Sequence, residues 1–276
     1  MRKLILLSLV GTICFMFIGV GGILAQTESP RHSWELGTEM SSIKYKEPGL
    51  MEEKGTMYGI VGSYDYRGEF FKLQRCMLKA ETKFAWGQVD YDGALQDGTP
   101  YTMDGIDDYL WELRGLGGYD FSVFTASTLT PYIGIGYRYL NDDSSSDLNG
   151  YERESNYIYS PIGVEIITPL KNNWSVGAML EYDIFWWGKQ ISHASDYLTG
   201  LNDPENTQDK GYGIRSSVKF QKKGEKYNFV IEPYVRYWNI KQSDDADLTL
   251  NGTKIGYIWE PKNNSTEVGV KLAVKF

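Results

Sequence analysis

The chain has 276 residues, with 28 Lys and Arg against 36 Asp and Glu and a formal net charge of −8. That balance excludes a nucleic-acid phosphate backbone as the partner. Two cysteines, Cys14 and Cys76, cannot build a disulfide framework, and the sequence shows neither metal-ligand spacing nor a phosphate-cradling glycine loop, so no metal and no cofactor is expected.

Arg2 and Lys3 precede an apolar run from Leu4 to Leu24 that ends Ile23-Leu24-Ala25-Gln26. A basic start, an apolar core and a small residue predict a secretory signal peptide over residues 1–25, with a retained anchor helix as the competing reading. Residues 26–276 then form the mature domain. Beyond Gln26 no stretch approaches a transmembrane helix, and Cys76 is the one cysteine left in the mature chain.

Ten segments alternate apolar and polar residues, the period of a strand with two unlike faces. They cover 33–45, 56–67, 75–89, 107–120, 128–141, 154–169, 173–189, 211–221, 226–241 and 267–276. The connections after the even segments are short, notably 169–173 and 222–225. Those after the odd segments are longer and polar, including 90–106, 141–153, 189–210 and 241–263. Short turns at one end and long loops at the other predict a transmembrane antiparallel up-and-down β-barrel of about ten strands, with extracellular loops and periplasmic turns.

One face of each strand supports lipid contact. Trp34, Trp86, Trp111, Trp174, Trp186 and Phe276 fall on the apolar face near strand ends, where interfacial aromatics gather. The opposite face carries Glu35, Glu39, Asp65, Lys79, Glu81, Lys83, Glu112, Arg114, Arg138, Glu165, Glu181, Asp183, Arg215, Lys219, Glu232, Arg236, Glu267 and Lys271. A ten-stranded barrel is narrow, and confined opposite charges pair because an unpaired one costs several kcal/mol. The expectation is a lumen plugged by a charge network. The competing picture is a thin water pore lined by solvated charges.

The last strand, Glu267 to Phe276, puts Val268, Val270, Leu272, Val274 and Phe276 on one face and ends on an aromatic residue. It resembles the C-terminal signature of bacterial outer-membrane β-barrels, which the barrel-assembly machinery reads. That resemblance implies an outer-membrane location in a Gram-negative cell. It also implies contact with outer-membrane lipid and lipopolysaccharide, and a monomeric, non-enzymatic barrel that binds at the surface, supports the envelope or forms a narrow, porin-like channel.

Two enzyme families offer alternatives. Asp90-Tyr91-Asp92 after the third strand and His193 after the seventh resemble the Asp-x-Asp and Asp-x-His elements of the omptins, ten-stranded outer-membrane proteases. The resemblance implies a water activated by an Asp-oriented histidine. Here Ile191 stands where the second aspartate belongs, and Asp196 follows instead. His193-Ala194-Ser195 with Glu205 also resembles the His-x-Ser and Glu of lipid A deacylases. The oxygen-rich runs 142–147 and 243–247 read as exposed turns.

Overall fold

The structure is a computed structural model that describes residues 31–95, 98–124 and 126–276. The predicted signal segment 1–25 lies outside the described residues. Strands follow one another as β1 (Arg31–Glu47), β2 (Met51–Phe70), β3 (Leu73–Ala94), β4 (Pro100–Tyr119), β5 (Phe121–Val123), β6 (Ser127–Asp143), β7 (Glu152–Pro169) and β8 (Trp174–Ser192). After a single helical turn at Ala194–Tyr197 come β9 (Glu205–Gln208), β10 (Gly211–Lys223), β11 (Asn228–Ile240), β12 (Ala246–Leu250), β13 (Thr253–Ile258) and β14 (Asn263–Lys275).

Ten of these pair antiparallel in the order β10-β11-β14-β1-β2-β3-β4-β6-β7-β8, and β8 pairs back onto β10 to close the barrel. β5 folds back on the start of β6, β9 adds to the end of β8, and β12 with β13 makes a separate hairpin. The tight turns have local causes. Asn172 and Asn173 both take positive φ (58° and 61°) between β7 and β8, as a two-residue turn between twisted strands requires. Asn251-Gly252 does the same between β12 and β13.

The predicted loops are shorter than expected because the strands run on. About 9–11 residues suffice to cross a bilayer core, yet β3 has 22 and β2 and β4 have 20 each. Residues 90–106, expected as a loop, are therefore the end of β3, a turn and the start of β4. The connection between β1 and β2 shrinks to residues 48–50. In these extensions the outward face turns polar, with Gln88, Asp90 and Asp92, while Val89 and Tyr91 pack inward, so the apolar and polar faces exchange and the segment reads as a loop. Real loops remain at 144–151, 193–210 and 241–262, all at the same end as the β1–β2 turn; this is the loop end, and the opposite one the turn end.

Sidedness is the reverse of a water-soluble protein. Along β1, Trp34, Leu36 and Met40 are 52–56% exposed while Glu35 and Glu39 are 7% and 4% exposed. The same holds around the ring, with Ile60, Phe84, Leu113, Leu180, Ile231 and Leu272 all exposed. Phe276 faces outward beside Trp34, each backbone N–H donating to the other's carbonyl at 2.9 and 2.8 Å. Trp186 departs from expectation. A register shift pairs Ile158 with Trp187 and Tyr159 with Phe185, so Trp187 takes the outward position in place of Trp186, while Phe185 keeps the inward face of Glu181 and Asp183. Trp186 donates its indole N–H to Ser160 Oγ at 2.8 Å.

Inside, the barrel is layered, and not all layers are charged. Towards the loop end, Ile43, Met57, Ala85, Val89, Ile106, Leu110 and Leu140 form one apolar cluster. Tyr157, Tyr159, Phe185, Trp238 and Ile240 form a second. Glycine makes room for the rings: Gly136 lies under Tyr159, and Gly269 under Tyr234, so close that a Cβ at either position would overlap the ring.

Candidate functional site

The charged interior is built by strand alternation, which sends every second side chain of each barrel strand into the lumen. Some of its ion pairs join neighbouring strands. Arg236 reaches Glu267 at 2.9 Å and Lys271 reaches Glu232 at 2.6 Å, each directly opposite in the β11–β14 register. Arg114 reaches Glu81 at 3.1 Å across β3 and β4.

The decisive pairs cross the lumen. Glu112 on β4 takes both terminal nitrogens of Arg215 on β10, at 2.8 and 2.5 Å, four strands away round the ring. Arg215 Nε meanwhile donates to Asp183 Oδ2 at 2.7 Å, and Tyr159, fully buried, donates its hydroxyl to Glu112 Oε1 at 2.7 Å. Arg114 on β4 pairs with Glu181 on β8. Lys83 on β3 bridges Glu39 at 2.6 Å and Glu267 on β14 at 2.5 Å, while Arg236 grips the other oxygen of Glu39 at 3.1 Å. Arg215 and Arg236 face each other directly in the β10–β11 register. Like charges so placed repel, and the acids around each offset that repulsion.

Nearer the turn end, Lys271 and Lys219 share Glu35 and Glu232 at 2.6–3.6 Å. Arg67 on β2 spans to Asp120 at 2.7 Å and to Glu165 on β7 at 3.3 Å. Sequence reasoning had no partner for Glu165, because Arg67 sits at a strand end where polar residues are ordinary. Arg138, expected in the charge network, is buried in the lumen, where its charge acts on Glu267 and Asp108, and it also lies over the Tyr157 and Trp238 rings at 5.8 and 6.0 Å, a cation–π arrangement. Between these layers remains a polar void of about 100 Å³ lined by Glu35, Glu81, Glu112, Arg114 and Lys271 among others. A polar void of that size has room for ordered water between the charged layers.

A second cluster closes the loop end. Arg153 on β7 reaches Glu53 at 2.8 Å on β2, Glu47 at 3.2 Å on β1 and Asp142 at 3.3 Å on β6. Tyr45 donates to Glu260 at 2.7 Å, and Asn263 donates to the same oxygen at 3.3 Å. Burial, reinforced by the neighbouring Glu47 charge and opposed by Arg153, pushes the Glu260 carboxyl up to about 7. Asp142 is thus a buried lumen residue and not part of an exposed turn. It stands directly opposite Asp108 in the β4–β6 register, and one oxygen of each lacks a hydrogen-bond partner. Sequence reasoning missed this cluster because Asp142 and Arg153 lie in the expected loop 141–153, and alternation alone gives Asp108, near the start of the expected strand 107–120, no partner.

The candidate catalytic residues do not converge. Asp90 and Asp92 share the β3 face of Phe84 and Trp86, all exposed, opposite the face that sends Lys83 and Val89 into the lumen. Asp90 accepts a hydrogen bond from the Gly105 N–H at 3.0 Å. Asp196 accepts from the Glu152 N–H at 3.2 Å rather than orienting His193. His193 instead holds Glu154 Oε1 through Nε2 at 3.0 Å, with Asp203 Oδ2 at 3.6 Å from Nδ1. Burial lowers the His193 pKa, but the Glu154 hydrogen bond and the charges of Glu152 and Asp203 outweigh it, so the net shift is upward. Ser195 donates its backbone N–H to Asp203 at 3.0 Å, and Glu205 is held by Lys189 at 2.6 Å.

No family model matches the sequence, and no curated protein matches it either. Among solved structures, the outer-membrane protease OmpT from Escherichia coli superposes with a TM-score of 0.64 at 10% identity, covering 92% of this chain and 99% of that one. The transport unit of the autotransporter AIDA-I from Escherichia coli overlays with a TM-score of 0.42 at 10% identity, over 92% and 93% of the two chains. Neisserial surface protein A gives 0.30 at 12% identity, over 90% and 100%. With so little identity, the likeness to OmpT is one of fold: the chain is a closed ten-stranded antiparallel β-barrel of the outer-membrane type.

Proposed function

We propose that this is a bacterial outer-membrane protein whose barrel is a closed scaffold, and whose work is done by the loop end as a surface-binding or envelope-supporting protein. The observation that carries the reading is the Glu112–Arg215 pair across the lumen, bidentate and buried. A pore wide enough for solutes has no room for side chains of opposing strands to meet at hydrogen-bond distance. Opening such a pair without compensation costs about 3–5 kcal/mol.

The apolar outer face fits outer-membrane lipid and lipopolysaccharide. The outward Phe276 at the end of β14 fits delivery by the barrel-assembly machinery. A proteolytic role has less support, since Asp90 and Asp92 face away from the lumen and from His193.

Single-channel recording of the refolded protein in a planar bilayer tests this. Electrical silence is expected. Steady open steps would overturn the closed scaffold and make the protein a narrow channel.

A further inference from the structure

The cluster around His193 stands apart from the lumen charge network. Glu152 and Glu154 lie two apart near the start of β7, so they share one face while Arg153 and Ser155 point into the lumen. In the β7–β8 register Arg153 pairs with Ser192 and Glu154 with Ile191. The next residue, His193, therefore falls beside Glu152, and its N–H donates to the Glu152 carbonyl at 2.9 Å. One ligand atom each from Glu152, Glu154 and His193 lie within 4.8 Å of one another.

Two of these side chains have neighbours outside the trio. Asn141 Nδ2 donates to Glu152 Oε1 at 2.6 Å. Asp203 stands 3.6 Å from Nδ1, the ring nitrogen turned away from Glu154, and is itself fixed by the Ser195 N–H at 3.0 Å. An outer carboxylate on the far nitrogen of an imidazole is the support that metal-ligating histidines usually have, since it sets the tautomer and raises ligand basicity. The charge is also unbalanced. Four carboxylates (Glu152, Glu154, Asp196 and Asp203) surround a single imidazole, so even a protonated His193 leaves the group three charges negative.

We propose that Glu152, Glu154 and His193 Nε2 bind a divalent transition-metal cation of the zinc class on the outer wall of the loop end. One imidazole with two carboxylates suits Zn²⁺ and its neighbours Mn²⁺, Co²⁺ and Ni²⁺, whereas Ca²⁺ takes oxygen ligands alone. Bonds of about 2.0–2.2 Å from a central ion place its ligand atoms roughly 3–4 Å apart, a spacing the trio already approaches. Three protein ligands leave coordination positions for water. The metal would pin the start of the 193–210 loop to β7, and the proposal stands whether or not the lumen conducts.

The sequence has two histidines, and His32 lies at the turn end on the Tyr64 hydroxyl, which gives an internal control. In the refolded full-length protein, titration with Co²⁺ should produce a d–d absorption band that Zn²⁺ abolishes. His193→Ala and Glu154→Gln should each weaken that binding at least tenfold, Asp203→Asn about tenfold, and His32→Ala not at all. Equal affinity in wild type and His193→Ala would overturn the site and leave only non-specific carboxylate binding. Should a variant fail to fold, the wild type alone decides. Zn²⁺ should protect His193 but not His32 from carbethoxylation, read by mass spectrometry. Unchanged modification of His193 at saturating Zn²⁺ would sink the proposal.

Discussion

Two regions of the same lumen treat buried charge in opposite ways. From mid-barrel towards the turn end, Glu35, Glu39, Glu81, Glu112, Glu181, Asp183, Glu232 and Glu267 meet Lys79, Lys83, Arg114, Arg215, Lys219, Arg236 and Lys271, so acids and bases almost cancel. At the loop end, five acids, Glu47, Glu53, Asp108, Asp142 and Glu260, face two guanidinium groups, Arg153 and, at Asp108, Arg138. In the first region each charge is neutralised by protein. In the second, neutrality has to come from bound protons or cations. The mid-barrel layer should therefore behave as a fixed part of the scaffold, and the loop end should respond to the medium.

The largest effect is expected where the balanced layer is broken. Arg215→Met strips Glu112 and Asp183 of their shared partner and leaves both acids buried, a loss of about 3–5 kcal/mol. Glu112→Gln keeps the shape but removes the bidentate charge, and should cost about 2 kcal/mol. Urea unfolding from lipid vesicles at pH 8 reads both, and an unshifted midpoint for Arg215→Met would show that the layer is hydrated and not closed.

The pH response should come from the other region. The Glu260 carboxyl is raised from 4.5 to about 7 in the fold, so between those values the folded state holds a proton that the unfolded chain has lost. Its contribution favours folding below pH 4.5 and is lost as pH rises through 7, an effect on the order of 3 kcal/mol. Comparing wild type with Glu260→Gln at pH 4.5, 6 and 8 isolates it: wild type should lose stability relative to the variant as pH rises. Parallel pH profiles would remove Glu260 from the account. A smaller, purely steric test lies between the two regions. Gly136→Val drives side-chain atoms into the buried Tyr159 ring and should cost about 1–3 kcal/mol at every pH, by the same unfolding assay.

How far the sequence could be read follows the same division. Strand number and sidedness were legible because a period of two needs only local information, and Leu36 or Leu272 outward with Glu39 or Lys271 inward is unambiguous. The ends were not. Where β3 and β4 run past the apolar band the outward face turns polar while Val89, Tyr91 and Ile106 pack inward, so Asp90 and Asp92 look like loop residues. The register shift at Trp186 leaves no mark in composition. His193 was visible, but its neighbours were not: Glu154 lies 39 residues earlier in the chain, and strand register alone brings the two together. Arg138 shows the same limit, since alternation places it inside, as expected, but does not say that aromatic rings wait there.

The smallest predicted effect is the sharpest on the comparison, because it turns on sign. Asp108 and Asp142 face each other across β4 and β6, each with a buried oxygen that no donor reaches. Directly opposed like charges destabilise a sheet. Asp108→Asn removes one of them and supplies an amide that can donate to Asp142, so at pH 8 it should raise stability by about 1 kcal/mol. The same acid-to-amide change at Glu112 lowers it. If both substitutions destabilise, the loop-end acids are already neutralised by something held in place, and equilibrium dialysis of the wild-type protein against a chelator should then reproduce the loss seen in Asp108→Asn. If the signs are opposite, the excess charge is a standing cost in the free protein, tolerated at the one end of the barrel where protons and ions can reach it.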